Sequence, residues 1–263
     1  MNPPPATPPL SLIELDELNA QFAAHPPQEL LAWALERFGP RIALSSSFGV
    51  EDVALIDMLW RIEPQVRVVT LDTWRLPTET YDLIDRVRYR YGIRIDIFYP
   101  SLDSVDRMIK TAGYNLFYQS VDNRKLCCAI RKVEPLERAL GGLDAWISGM
   151  RRDQGTTRTG IQLIEIDDVH GDVVKLNPLA EWTSDEVWEY VRTNDVPYNA
   201  LHDQGYPSIG CAPCTRAVAP GKDPRAGRWW WELDPSSKEC GIHIGYDLNN
   251  VPFIARGKPQ ESA

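Results

Sequence analysis

Cysteine is scarce in this chain: five in 263 residues. Long apolar runs are absent. None approaches the roughly 18 residues of a membrane-spanning helix, so no membrane association is expected. Positive charge is in deficit, with 28 Lys and Arg against 37 Asp and Glu and a formal net charge of −9, which argues against a general nucleic-acid binder. The opening stretch MNPPPATPPL has neither the basic start nor the apolar segment of a secretory signal. Residues 1–12 read as a disordered Pro-rich arm, and the cytoplasm is the expected compartment. Structural disulfides are rare there, so the five cysteines point to metal binding or redox chemistry rather than stapling. No internal repeat is present, and the sequence leaves a homo-oligomer open.

What is present is an alternation. RIALSSSF (41–48), VRVVTLD (66–72), RIDIFYP (94–100), DAWISGM (144–150) and VVKLNPLA (173–180) read as strands. Between them, 50–62, 77–92, 102–113, 124–140 and 183–194 carry helical spacing. Pro77 and Gly92 punctuate the second of these helices, and Thr183 with Glu186 completes a capping box at the last. The pattern predicts an α/β fold with a mostly parallel, doubly wound sheet over 13–225. Such sheets bind ligands beyond the carboxyl ends of their strands. After about residue 203 the regularity fails, and 226–263 reads as an irregular, mobile C-terminal tail.

Two strand ends and one loop carry candidate anion chemistry. SSSFGVED (45–52) leads the first strand into a helix, so Ser45, Ser46 and Ser47 offer hydroxyls and N–H groups at a helix N-terminus. It lacks the GK[ST] ending of a Walker loop, which excludes ordinary P-loop chemistry. The second strand ends in LDT, placing Asp72 and Thr73 at the same sheet edge. SGMRRDQGTTR (148–158) adds Gly149, for close backbone approach, and Arg151 and Arg158, to meet phosphate. A polar turn and a basic surface loop would look similar in isolation; their convergence on one edge argues for a nucleotide site. Basic residues also cluster around the cysteines: Arg124, Lys125, Arg131 and Lys132, then Arg216, Lys222, Arg225 and Arg228.

The cysteines fall as a pair, a pair and a single. Cys127–Cys128 and Cys211–Cys214 make a four-thiolate set, which fits zinc or an iron–sulfur cluster. Adjacent cysteines converge poorly on one small ion but suit a cluster in which each thiolate takes a different iron. Cys240, three residues ahead of His243, is left over as a candidate nucleophile.

CCAIRK, GCAPCTR, GRWWWE and KECGIH, in this order and spacing, resemble the assimilatory adenylyl-sulfate reductases. These are the cluster-bearing branch of the phosphoadenylyl-sulfate reductase family, and the likeness runs from about residue 41 to 247. The resemblance implies a fold like that of the adenine-nucleotide α-hydrolases, with Ser45–Asp52 as a modified pyrophosphate loop. It implies one 4Fe–4S cluster on Cys127, Cys128, Cys211 and Cys214, and Cys240 as nucleophile. Lys132, Arg225, Arg228 and His243 match residues that meet the sulfate and phosphate. The implied reaction reduces adenylyl sulfate to sulfite and AMP through an S-sulfonated Cys240, with thioredoxin as electron donor, in sulfate assimilation toward cysteine. Members acting on the 3′-phosphorylated nucleotide generally lack the four cluster cysteines. One departure stands out: the family usually reads DTG after the second strand, and here Trp74 replaces the glycine, with PTET following. A zinc-bound nucleotide enzyme of the same fold would carry an SGGxDS loop, which is absent. A non-enzymatic iron–sulfur regulator would leave Cys240 without a purpose.

Overall fold

The computed structural model describes residues 9–155 and 158–232, together with Thr7, Ile242 and Pro252. Six short strands form one sheet: β1 (Ile42–Ser46), β2 (Val68–Leu71), β3 (Ile95–Phe98), β4 (Ala145–Ile147), β5 (Ile164–Asp167) and β6 (Val173–Leu176). Their order is β3-β2-β1-β4-β6-β5. All pairings are parallel except β5 with β6. The predicted mostly parallel, doubly wound sheet is therefore the sheet that forms.

The central strands are apolar on both faces, as burial between two helix layers requires. Leu44, Val68 and Ile147 turn toward α2 (Pro27–Phe38), α3 (Val50–Ile62) and α8 (Ser184–Thr193). Ala43, Val69 and Trp146 turn the other way, onto Leu136, Ala139 and Leu140 of α7 (Glu134–Leu140). The helices α4 (Thr78–Tyr91) and α5 (Leu102–Ala112) follow β2 and β3. Gly92 ends α4 in the left-handed region at φ 64°, where glycine pays no Cβ penalty. The Thr183 hydroxyl accepts from the Glu186 N–H while the Glu186 carboxylate accepts from the Thr183 N–H, the expected capping box of α8.

Three elements lie outside the sequence expectations. The helix α1 (Leu12–Phe22) starts on a second capping box, Ser11 with Glu14. Leu10 is buried and the Thr7 N–H donates to Asp144, so ordered structure begins within the stretch read as an arm. The helix α2 follows it, and α1 reaches the sheet edge through Asn19, which accepts from the Ile164 N–H and donates to its carbonyl. The strand β5 is only four residues of I-E-I-D, too short for its alternation to stand out.

The chain leaves β1 toward β2 and β3 on one side, and β4 occupies the other. A crevice opens where the winding reverses, at the carboxyl ends of β1, β2 and β4. No helix among the described residues is long and apolar enough to cross a membrane.

Candidate active site

That crevice is a cleft of about 780 Å³. Ser45, Ser46, Ser47, Thr73, Lys132, Gly149, Arg151, Arg158, Arg225 and Arg228 all line it. Asp72 does not: its carboxylate accepts from the Trp74 N–H and the Tyr81 hydroxyl, both at 2.8 Å, and so braces the turn after β2. Cys240 and His243 lie outside the described residues. Ile242, between them, is described and lines the cleft.

The serine loop is shaped by its own hydrogen bonds. The Phe48 N–H donates to Ser46 Oγ at 3.1 Å, and Phe48 stands at φ 59°, an unusual backbone for a bulky residue. The Ser47 N–H and hydroxyl both donate to Asp52, at 2.6 and 2.8 Å. Burial pushes the Asp52 carboxyl up to about 6, against the pull of the Ser47 hydrogen bonds. Gly149 faces this carboxylate closely: a Cβ there would lie 2.3 Å from Asp52 Oδ1. Only glycine allows the loop after β4 to approach the start of α3.

Arg151 is already engaged. Its Nε and Nη2 donate to Glu51 at 3.0 and 2.9 Å, and its Nη1 to Asp153 and to the Trp182 carbonyl. It acts here as a buried strut between α3 and the loop after β4. Arg158 donates to Gln154, which in turn holds the Gly149 carbonyl.

Beside the cleft lies a second, small cavity lined by all four paired cysteines, with Arg75, Arg124, Arg131, Lys132 and Arg228 among its walls. Cys127 and Cys128 close α6 (Val121–Cys128), and Cys211 and Cys214 bracket a tight turn. None of the four is in a disulfide. A π-helical turn, Ala129–Val133, follows α6 directly. Such turns insert a residue into the helical register and recur at functional sites. Lys132 lies in this turn and borders both cavities, as does Arg228.

Burial pushes the Cys127 thiol up to about 11, with Cys211 adding to the effect and Arg131 and Arg75 opposing it. Burial likewise pushes Cys214 up to about 12, with Cys211 adding and Lys132 opposing. Left to themselves, these thiols would hold their protons. A metal centre would deprotonate them outright.

Among the described residues no three His, Cys, Asp or Glu side chains gather closely enough to hold a metal ion. A multi-iron cluster does not ask for that, because each thiolate goes to its own iron. Two buried donors on residues of this cavity's wall, Arg131 Nε and Arg228 Nε, find no partner among the described residues. Buried donors normally have acceptors, and an anionic group bearing sulfides would supply them. The donor set fits an iron–sulfur cluster.

Thr73 joins the two cavities. It lines the cleft, its hydroxyl lies 3.2 Å from Cys211 Sγ, and its carbonyl accepts from Arg131 at 2.7 Å. One residue on, Trp74 adopts φ 58°. This is the left-handed backbone that favours glycine. The bend therefore persists despite the indole, which is 40% exposed and tilts against Tyr99 with ring centroids 6.5 Å apart.

The roles of Arg75, Arg131 and Asp52 escaped the sequence reading. For Arg131 a signal existed: Arg124, Cys127, Cys128 and Arg131 recur at helical spacing and share one face. Asp52 lies inside the 45–52 loop, where its partner Ser47 is five residues away, but its burial gives no local sign; Arg75 carries no comparable mark.

Fold and site together define a doubly wound α/β protein with a hydroxyl- and guanidinium-lined cleft at its sheet edge and a four-thiol cavity beside it. A family model, the phosphoadenosine phosphosulfate reductase domain, matches residues 41–217. The chain belongs to this family. A Burkholderia cepacia protein named adenosine 5′-phosphosulfate reductase is 50% identical over 215 residues, covering 82% of this chain and 85% of its own. A crystal structure of phosphoadenylyl-sulfate reductase from Candida auris, a phosphate complex, superposes with TM-score 0.70 at 31% identity, covering 81% of this chain and 100% of its own. The FMN adenylyltransferase of Candida glabrata, at 15% identity and TM-score 0.54 over 94% of this chain and 80% of its own, shares the fold alone.

Proposed function

We propose that this chain reduces adenylyl sulfate to sulfite and AMP, with thioredoxin as electron donor, in sulfate assimilation toward cysteine. The observation that carries the reading is the shared wall: Lys132 and Arg228 border both the nucleotide cleft and the four-thiol cavity. Ile242, on the cleft wall and two residues beyond Cys240, supports Cys240 as the nucleophile. The curated relatives named for adenosine 5′-phosphosulfate support the substrate.

The substrate is a mixed anhydride of AMP and sulfate. Its phosphate and sulfate would rest against the serine loop, Lys132, Arg158, Arg225, Arg228 and His243, while Arg151 and Asp72 hold the surrounding loops in shape. The Cys240 thiolate attacks the sulfur atom; an S–S bond forms, the S–O bond to AMP breaks, and its electron pair leaves with AMP. A thioredoxin thiolate then attacks Cys240 Sγ, displacing sulfite and forming a mixed disulfide. The second thioredoxin thiol resolves it, so thioredoxin is oxidised and Cys240 regains its thiol. An anionic nucleophile meets an anionic substrate here, and Lys132 and Arg228 offset that repulsion and stabilise charge moving onto the leaving group. Cys127, Cys128, Cys211 and Cys214 would hold a 4Fe–4S cluster, which when bound supplies electrostatic tuning of the neighbouring anion site. The protein is read as cytoplasmic, with the first residues as an arm and the segment beyond 226 as the carrier of Cys240.

The test is Cys240→Ser. The wild-type protein incubated with adenylyl sulfate alone should acquire a sulfonate on Cys240, and the variant should acquire none and release no sulfite when thioredoxin is added. Sulfite release by the variant at near wild-type rate removes the assigned nucleophile. The Candida auris relative acts, by its name, on the 3′-phosphorylated nucleotide, so both nucleotides belong in the assay; a clear preference for the 3′-phosphorylated one would replace the substrate proposed here.

A further inference from the structure

Glu232 stands immediately before the stretch that carries Cys240, and it is pinned. Arg124 Nε and Nη2 donate to its two carboxylate oxygens at 2.9 and 3.0 Å. The two side chains are 0% and 3% exposed. The guanidinium groups of Arg124 and Arg228 both lie over the Trp229 ring, 4.5 and 4.9 Å from its centroid. Trp229 is held at φ 41°, a backbone that a bulky side chain keeps only when its surroundings over-determine it. Its N–H donates to the Cys214 carbonyl, and its own carbonyl accepts from the Glu232 N–H.

A buried ion pair is a poor source of net stability, because desolvating both charges offsets their attraction. A pair placed here has a different effect: it fixes geometry. Arg124 sits one helical turn before Cys127 and Cys128. It thereby joins the cysteine helix to the segment that delivers Arg228 to the wall between the cavities. Gly210 makes room for that delivery, since a Cβ there would lie 2.2 Å from Arg228 Nη2. At the far side of the Cys240 stretch, Ile242 lies on the cleft wall. The residues flanking that stretch are thus both placed, one by the ion pair and one by the cleft.

We propose that Arg124 and Glu232 are positioning residues for sulfonate transfer. Their pairing sets the point from which the Cys240 segment departs, relative to Arg228 and the thiol centre. This inference rests on the reading of Cys240 as nucleophile, and neither residue touches substrate.

The test uses the full chain, prepared without oxygen, and the double variant Arg124→Met/Glu232→Met. Replacing both charges by apolar groups avoids an unpaired buried charge and preserves the fold. Three quantities are read: iron content per chain, equilibrium affinity for AMP, and the single-turnover rate at which Cys240 gains sulfonate from adenylyl sulfate without thioredoxin. The expected result is unchanged iron content and AMP affinity with transfer slowed about 10–100-fold, the scale on which small misplacements act; slowing that tracks lost iron overturns the inference, because it marks a disturbed thiol centre. Transfer at the wild-type rate overturns the inference. A parallel fall in AMP affinity and rate also overturns it, because that marks a general disturbance of the cleft. Should the double variant not fold, Arg124→Lys replaces it. Lysine keeps the charge but loses the planar fork, and a several-fold slowing at constant AMP affinity is expected, an unchanged rate being the contrary result. A wild-type protein that never carries sulfonate on Cys240 defeats the functional reading itself, an outcome distinct from any of these.

Discussion

The sheet-edge cleft and the thiol cavity share a wall but are built in opposite ways. The cleft is open and roomy, and hydroxyls, glycine and strand ends make it. Any doubly wound sheet has a crevice where its winding reverses, so topology alone places Ser45–Ser47, Thr73 and Gly149 together. The thiol cavity is small and lies off the sheet, between the end of α6 and an irregular turn. Nothing in the topology requires it. Side-chain contacts hold it: Thr73 to Cys211, Arg131 to the Thr73 carbonyl, Arg124 to Glu232. Disturbing one region should therefore spare the other, except at the residues both share.

The largest expected effect tests that independence. Cys128→Ser should lose iron and the visible absorption of the cluster, and with them sulfite release, while AMP affinity stays close to wild type. Equal loss of AMP binding would break the division. Next comes the shared wall. Lys132→Met should keep iron and yet slow sulfonate transfer by roughly 10²–10³-fold, the scale of a lost transition-state donor of 3–4 kcal/mol. A smaller change would confine Lys132 to one side.

The cleft alone is probed by Asp52→Asn. The folded protein holds the Asp52 carboxyl at about 6, above its ordinary 3.8. Between these values the folded chain keeps a proton that the unfolded chain has released. Stability from this group is present at pH 4 and lost as pH rises through 6. The shift amounts to roughly 3 kcal/mol. The variant should thus unfold at higher urea concentration than wild type at pH 7, with the two converging near pH 4; a difference independent of pH would refute the burial argument. Smallest is Trp74→Gly, which relieves a left-handed backbone at about 1 kcal/mol and should raise the melting temperature by a few degrees with sulfite release unchanged.

The same contrast explains what was readable beforehand. Strand and helix periods, with Pro77, Gly92 and the Thr183–Glu186 box as punctuation, carry local signals, and the sheet follows from them. Asn19 bridging to Ile164 and the short strand β5 depend on partners distant in sequence, and left no local trace. In the site, the serine loop and the paired cysteines announce their chemistry by residue type. Arg151 shows what residue type leaves out: it lines the cleft where a basic loop residue is expected, and Glu51 across from it is a partner that no local pattern announces. Whether an arginine meets substrate or carboxylate is decided by who faces it, and that is a property of packing.

Trp229 and Trp231 pack in the same apolar cluster as Cys211 and Cys214. An indole that close to an iron–sulfur chromophore should lose its excited state to the cluster. If the four thiols hold the proposed cluster, ultraviolet emission from the folded chain would dim as iron is incorporated and brighten as it is lost, an optical gauge readable in a cuvette without substrate.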